Sequence, residues 1–418
     1  MGTSRRIRAS SIRRPATSGC SPTRPARASA DAVRWAPSRS SSRMGTARDN
    51  RLAAREISEV RALIEEACHH LQEVGFRARG AEAQALLTSH GALRSAAGRL
   101  QVSPPRTREL LEQLPSGLTL FDREGDKLAT LAGGRDISGS GPIWASAATP
   151  TRRARRGEEE SATLSAEDLW PLADASARLA HCLALGAAPL PDPLAPPLAL
   201  LLRLYVGFCT STHPQIARVR RGAEVERIWD LLRTLQGDAQ AVERRPVVLL
   251  ELSLERRGEL GAAACRILID SARHGLPLVI RLPALTGDNG QTEPSPLVEI
   301  VATGLSAILV HQTARARAPL LWGLPPIGPD APRPRLQRGA MLLGVADEIA
   351  LPAVATSRGS DDAAHLLSAA WAAARGARMI LLDAGAEDVF DMQQLSRLAA
   401  RVPEVAALAR HAPGAGGS

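Results

Sequence analysis

A closed (β/α)8 TIM barrel is the fold class that the sequence predicts, and three observations predict it. Between Gly141 and Asp383 a strand-length apolar run, followed by a longer segment of helical period, recurs eight times. The fourth, fifth, sixth and eighth runs are continuously apolar rather than alternating, as expected of parallel strands covered on both faces by crossover helices. The eight units span about 245 residues, close to the roughly 250 of a typical barrel. An open doubly wound sheet shares the alternation; the count and the span favour closure.

The strands are expected at 141–145, 182–188, 214–219, 247–252, 277–282, 319–323, 351–356 and 378–383, the second and third carrying the weakest pattern. Helical stretches fall between them at 165–181, 194–210, 222–236, 258–274, 296–314, 338–350 and 361–375, with a last one from Asp391 onward. Ser165, with Asp168 three positions on, has the chemistry to satisfy orphan N–H groups of a first turn. His274-Gly275-Leu276-Pro277 reads as a helix stop followed at once by a strand, with Gly275 free to take the left-handed cap.

Ahead of the barrel, which is assigned to 136–410, residues 56–135 read as a small helical subdomain. Ile57, Val60, Leu63, Ile64, Ala67 and Leu71 recur at helical spacing; a second helix covers Ala81 to His90, a third runs from Ser103-Pro104 to Leu114, and Leu118 to Gly125 reads as a strand into a turn. Residues 1–55 and 411–418 are expected to be disordered tails. The first tail holds 13 arginines, no lysine and only Asp31 and Asp49 as acids, so it carries more than the whole net charge of +9. The other residues hold 39 basic and 41 acidic groups. The folded part is therefore nearly neutral, and the charge argues for no nucleic-acid partner. The tail reads as a transit-like peptide, a basic arm, or an extension upstream of a true start at Met44. The last reading is favoured by one lysine, Lys127, beside 51 arginines, the mark of a GC-rich coding sequence.

No uncharged apolar run of 18 or more residues suggests a membrane span. Five scattered cysteines form neither a disulfide framework nor a C-x-x-C motif, which points to a cytoplasmic protein. Phosphate-binding loops, H-E-x-x-H, G-x-S-x-G and a dinucleotide fingerprint are absent, so the common nucleotide, zinc, serine-hydrolase and Rossmann chemistries lack their parts. His69 and His70 lie about 100° apart on a helix and cannot chelate one metal as an i, i+4 pair would. No metal site is expected. The charge run from Thr151 to Glu160 reads as a solvated loop.

Reactive groups of a barrel gather at the carboxyl ends of the strands. Those positions hold Trp144 and Ser146, Glu251 and Ser253, Arg281, Trp322, Thr356 and Ser357, and Asp383. Glu251 and Arg281 each interrupt a buried apolar run, where an unpaired charge is costly. They are either substrate-binding groups or one structural ion pair. Trp322 is either core or the wall of a cation pocket. The substrate-binding candidates are Trp144, Glu251, Arg281, Trp322, Thr356 and Asp383.

Several segments carry a resemblance. Glu73-Val74-Gly75-Phe76-Arg77, Glu82 to Leu87, Ser103 to Leu111, Leu204 to Pro214, Arg244 to Val248, Gly275 to Val279, Val310 to Thr313 and Ala318 to Gly323 together resemble the trimethylamine methyltransferase family, in order and spacing. The resemblance covers about Ile57 to Arg397 and implies a barrel that passes a methyl group from a small methylated amine to the cobalt of a separate corrinoid protein. With only standard residues, the chain is more similar to the non-pyrrolysine branch, which acts on quaternary amines such as glycine betaine. It implies a cobalamin carried by a partner rather than held tightly, and leaves the oligomeric state open. Under this resemblance Trp144 and Trp322 face the ammonium, Glu251 offsets its charge and Arg281 holds a substrate carboxylate. The loops after the fifth, sixth and seventh strands (Pro283 to Gly290, Gly323 to Pro334, Ser357 to Asp362) depart from the family pattern. The alternative is thus a catalytically inactive relative kept for small-molecule binding or as an accessory protein.

Overall fold

Eight parallel strands form one curled sheet. In chain order they are β1 (Ile143–Ser146), β2 (Leu185–Gly186), β3 (Gln215–Arg218), β4 (Val248–Ser253), β5 (Leu278–Arg281), β6 (Leu320–Gly323), β7 (Ala353–Ser357) and β8 (Met379–Leu382). The computed structural model describes residues 47–133, 142–146, 152–153, 162–163, 168–179, 181–183, 185–186, 196–284, 296–325, 333–357, 361–382, 389–390 and 392–411. All lie in one unit that starts at Met44.

The strands are ordered β1-β8-β7-β6-β5-β4-β3-β2, with every ladder parallel. Each lies within a segment expected to be a strand or overruns it by one residue. The two edge strands turn toward each other: the Leu183 N–H, just before β2, donates to the Trp144 carbonyl of β1 at 2.8 Å. Seven strands run four to six residues and β2 only two, so β2 is the weakest strand of the sheet.

Thirteen helices appear among the described residues: α1 (Ala47–Glu73), α2 (Ala81–Ser89), α3 (Pro104–Glu112), α4 (Leu169–Ala177), α5 (Pro196–Thr210), α6 (Gly222–Gln236), α7 (Ala239–Arg244), α8 (Ala262–Arg273), α9 (Pro296–Ala314), α10 (Arg333–Glu348), α11 (Asp362–Ala374), α12 (Met392–Ala400) and α13 (Val402–His411). The bounds of α6 and α9 match the expected ones. Of the expected helices, four differ by more than two residues at an end. The helix α1 begins inside the segment expected to be tail, because Ala47 to Glu56 is rich in good helix formers. The helix α8 starts after Gly261, since Glu259–Leu260 instead pair in parallel with Arg77–Ala78. The helix α10 starts before 338, its first turn tolerating Pro334, which has no N–H to lose there. The helix α4 is shorter than expected, and Ser165, its expected cap, lies outside the described residues. At the end of α8 Gly275 takes φ 64°, as the helix stop required.

An outer barrel helix normally keeps one wet face, yet α9 is buried along nearly its whole length. The reason lies upstream. Helices α1, α2 and α3 pack on α9, and α1 also lies on α10, where Arg61 Nε meets Glu348 Oε1 at 2.6 Å. The segment before the barrel thus shares one apolar core with the sheet's outer helix layer. Covered on both sides, α9 is long and apolar enough to span a bilayer by length and composition, and is packed as a core helix instead.

The sheet has two faces of different content. Trp144, Ala217, Leu250, Leu252, Ile280, Trp322, Ala355 and Ile380 pack outward against the helices. Ile143, Ala145, Ile216, Leu249, Val279, Leu321, Val354, Met379 and Leu381 pack together on the concave face. They are joined there by Leu118, Leu120 and Leu131 of an antiparallel hairpin, Gly117–Phe121 with Lys127–Ala132. The hairpin fills the concave face from the side where the strands begin. This leaves the carboxyl ends of the strands as the end where polar groups gather.

Candidate functional site at the carboxyl ends of the strands

Side chains alternate along a strand, so two positions past each concave apolar residue the next concave one follows. Beyond Ile216, Leu249, Val279 and Val354 those residues are Arg218, Glu251, Arg281 and Thr356. A dry layer therefore gives way, within one repeat, to a charged one.

At its centre Glu251 is held between two arginines. Arg218 Nε donates to Glu251 Oε1 at 2.9 Å, and Arg281 Nη2 donates to Oε2 at 2.8 Å. Glu251 is 5% exposed. Burial is the largest single influence on its carboxyl and pushes the pKa up; the opposing charges and hydrogen bonds of Arg281 and Arg218 outweigh it, and the group ends below the ordinary carboxylate range. Breaking such a pair costs more than forming it gains, because a buried charge is left uncompensated.

Glu251 and Arg281 are thus brought together, as an ion pair on neighbouring strands. Arg218 is the third member, and sequence reasoning passed over it because β3 carries a weak strand pattern. Thr356, at the corresponding position of β7, is buried. Beside it, between β7 and α11, lies a crevice of about 10 Å³ lined by Leu324, Thr356, Ser368 and Trp371, room for one water at most. Asp383 lies outside the described residues, as do most residues of the three loops that depart from the family pattern.

The two tryptophans lie elsewhere. Trp322 is fully buried on the outer face, its ring so close to α9 that a Cβ on Gly304 would stand 2.5 Å from Cη2. Trp144 belongs to the same outer layer. Both are core residues of the helix-facing side rather than walls of the concave end, because each sits one residue out of phase with the concave positions.

A further arginine completes the picture. Arg203 of α5 is 1% exposed, and its Nε and Nη2 have no hydrogen-bond partner among the described residues. It lies near enough to Glu224, Arg218, Glu251 and Arg220 to feel their charges. Glu224, at the first turn of α6, is itself engaged, its Oε2 accepting from the N–H groups of Arg220 at 2.6 Å and Arg221 at 3.1 Å. The signal in the sequence is an arginine inside the apolar run Leu198 to Phe208.

Cys68 and Cys182 do not suit a nucleophile's role: burial pushes the Cys68 thiol up to about 11 and the Cys182 thiol up to about 12. A groove of about 450 Å³ exists on the outside of the ring, between α5 and α6, lined by Leu198, Leu201, Leu202, Tyr205 and Arg227. No strand-end candidate lines it.

The fold is similar to that of the Methanosarcina barkeri monomethylamine methyltransferase (MtmB), with a TM-score of 0.52 and 10% identity over 85% of this chain and 79% of that one. What the two share is a fold. A hydroxylamine complex of MtmB gives a TM-score of 0.49 and 10% identity, over 86% of each chain. A truncated 3-deoxy-D-arabino-heptulosonate 7-phosphate synthase from Thermotoga maritima gives 0.42 and 11%, over 71% of this chain and 94% of that one. No family model matches the sequence, and no curated protein matches it.

Proposed function

We propose that the protein is a diverged methyltransferase of the trimethylamine methyltransferase kind, whose parallel sheet closes as a (β/α)8 barrel and presents its carboxyl end to a small methylated amine. The observation that carries the proposal is the agreement of two independent likenesses. The collinear segments from Ile57 to Arg397 resemble that family, and the fold is similar to a monomethylamine methyltransferase over most of both chains. The cytosol is the proposed setting.

The concave end suits part of that task. Displacement of a methyl group from a quaternary ammonium releases a neutral amine and needs no proton, so the protein's share is orientation and exclusion of water. Arg218 and Arg281 each give one N–H to Glu251 and keep further donors, a fork suited to the carboxylate of a betaine. A corrinoid carried by a partner protein would supply the cobalt that takes the methyl. Guanidiniums and a doubly engaged carboxylate make a poor ligand set for cobalt, and fit a substrate's anionic end better.

A second reading has its own support. Trp144 and Trp322 face the helices, and Glu251 has both oxygens taken, so the described residues supply no obvious seat for the ammonium. That arrangement favours a relative that binds without transferring.

Calorimetric titration of the full chain with glycine betaine, glycine and tetramethylammonium tests the site. Saturable binding of the betaine, weakened at least tenfold in Arg281→Lys, is the expected result. Equal affinity for tetramethylammonium, or no response to any of the three, would contradict it. Binding of the betaine without methyl transfer is what the second reading requires.

A further inference from the structure

The groove of about 450 Å³ between α5 and α6 lies on the outside of the ring, and every residue that lines it is described. Its walls are apolar but not buried. Leu198 and Tyr205 of α5 are each 51% exposed. Trp170 of α4, also half exposed, meets the Tyr205 ring edge to face at 6.4 Å, and the half-exposed Leu235 follows the groove residue Leu231 by one turn of α6. Three consecutive outer helices thus carry four of the nine exposed large hydrophobic side chains among the described residues. Single apolar side chains on a surface are ordinary, whereas a contiguous set marks a contact. Tyr205 is the only tyrosine of the chain and stands beside a tryptophan, and these two residue types are the ones that anchor interfaces.

The charges in the groove say what covers it. Arg227 and Asp230, three apart on α6, both line the groove and are both exposed, and neither forms an ion pair among the described residues. One positive and one negative group on the same face complement themselves: a twofold axis through the groove sets Arg227 of each copy against Asp230 of the other. A small ligand would leave the half-exposed side chains wet, and an identical face covers them. The area is adequate. Helices of 15 residues, such as α5 and α6, are about 22 Å long and about 10 Å across, so with the shorter α4 they present roughly 600 Å² per copy. A symmetric pair then covers about 1,200 Å², the lower end of the range for specific interfaces.

We propose that the face formed by α4, α5 and α6 pairs two copies of this chain about a twofold axis at the groove. The pairing does not depend on methyl transfer. No strand-end candidate lines the groove, so the two are tested separately.

Sedimentation velocity of the full chain, from low to high micromolar concentration, should show a species of twice the chain mass. Tyr205→Glu should weaken this association at least tenfold with an unchanged circular dichroism spectrum. Leu408→Glu, at an exposed leucine of α13 outside the groove, should associate as the parent does. Charge exchange tests the geometry without relying on the tyrosine. Arg227→Asp and Asp230→Arg each set like charges against each other across the axis, and each should weaken the dimer at least tenfold. An equimolar mixture of these two variants should form dimers again, because in the mixed pair a carboxylate faces a guanidinium at both contacts. A monomer at every concentration would overturn the proposal. So would a dimer that survives Tyr205→Glu and both charge reversals, or a mixture no more associated than its components.

Discussion

The two halves of the concave face are built from the same strands and do opposite work. Toward the strand beginnings, Ile143, Ile216, Leu249, Val279, Leu321, Val354 and Met379 meet the hairpin leucines in a dry layer. One repeat further on, the same faces of β3, β4 and β5 carry Arg218, Glu251 and Arg281. The first half gains stability from apolar area removed from water, roughly 25 cal/mol per Å². The second half gives up some of that gain to hold charge. Apolar burial and buried charge are thus separated along the strand axis, and the dry half can be altered without touching the charged one.

The largest effect is expected from Glu251→Gln. It leaves Arg218 and Arg281 without their shared carboxylate, and urea denaturation should show a loss of about 3–5 kcal/mol. A loss below 1 kcal/mol would mean that the three side chains are solvated and that the charged half is no buried cluster. In the dry half, Leu249→Ala removes a fully buried side chain, for an expected loss of about 2–5 kcal/mol. This variant should leave betaine affinity unchanged, which sharpens the separation. On the outer face, Gly304→Ala forces a methyl against the Trp322 ring, with a cost of about 1–3 kcal/mol. The tryptophan fluorescence maximum should shift with it, whereas added betaine should not move that maximum in the parent protein.

The smallest effect near neutrality is in pH. His311, fully buried in α9, has its pKa pushed down by burial to about 3. An unfolded chain binds this proton below about 6.5 and the folded one does not, so stability falls as pH drops through that window. At pH 5.5 the loss is about 1 kcal/mol from this group. Glu251, lowered in the folded state, loses its contribution as pH falls further, in the same direction. In His311→Leu the decline between pH 6.5 and 5 should flatten; an unchanged slope would show that other groups set it.

Much of the framework was legible in the residues because burial on both faces writes a continuous apolar run, as in 247–250 and 379–382. The same property hid which way each side chain points. In Leu320-Leu321-Trp322 every residue is apolar, so no alternation marks the face, and a shift of one residue exchanges the two faces. The sequence therefore left Trp322 open between core and pocket wall, of which the structure takes the core, and it gave no sign that Trp144 faces the helices too. Charges are easier to read: Glu251 and Arg281 each interrupt a buried run, and an ion pair between them is one of the two readings that the sequence offers. Arg218 sat in a strand of weak pattern, and Arg203 in a helix, where nothing local reveals that it is buried. The apolar character of α9 was explained only by α1 to α3, a contact between distant parts of the chain.

Methyl transfer itself is the most direct test of the central claim, that the carboxyl end of this sheet hands a methyl group to an external cobalt centre. The full chain, a reduced corrinoid protein and glycine betaine are mixed anaerobically and followed by absorption. Conversion of the Co(I) spectrum to that of methyl-Co(III), with stoichiometric dimethylglycine, is the predicted result. An unchanged Co(I) spectrum with glycine betaine and with mono-, di- and trimethylamine, from protein shown to be folded, would contradict the account.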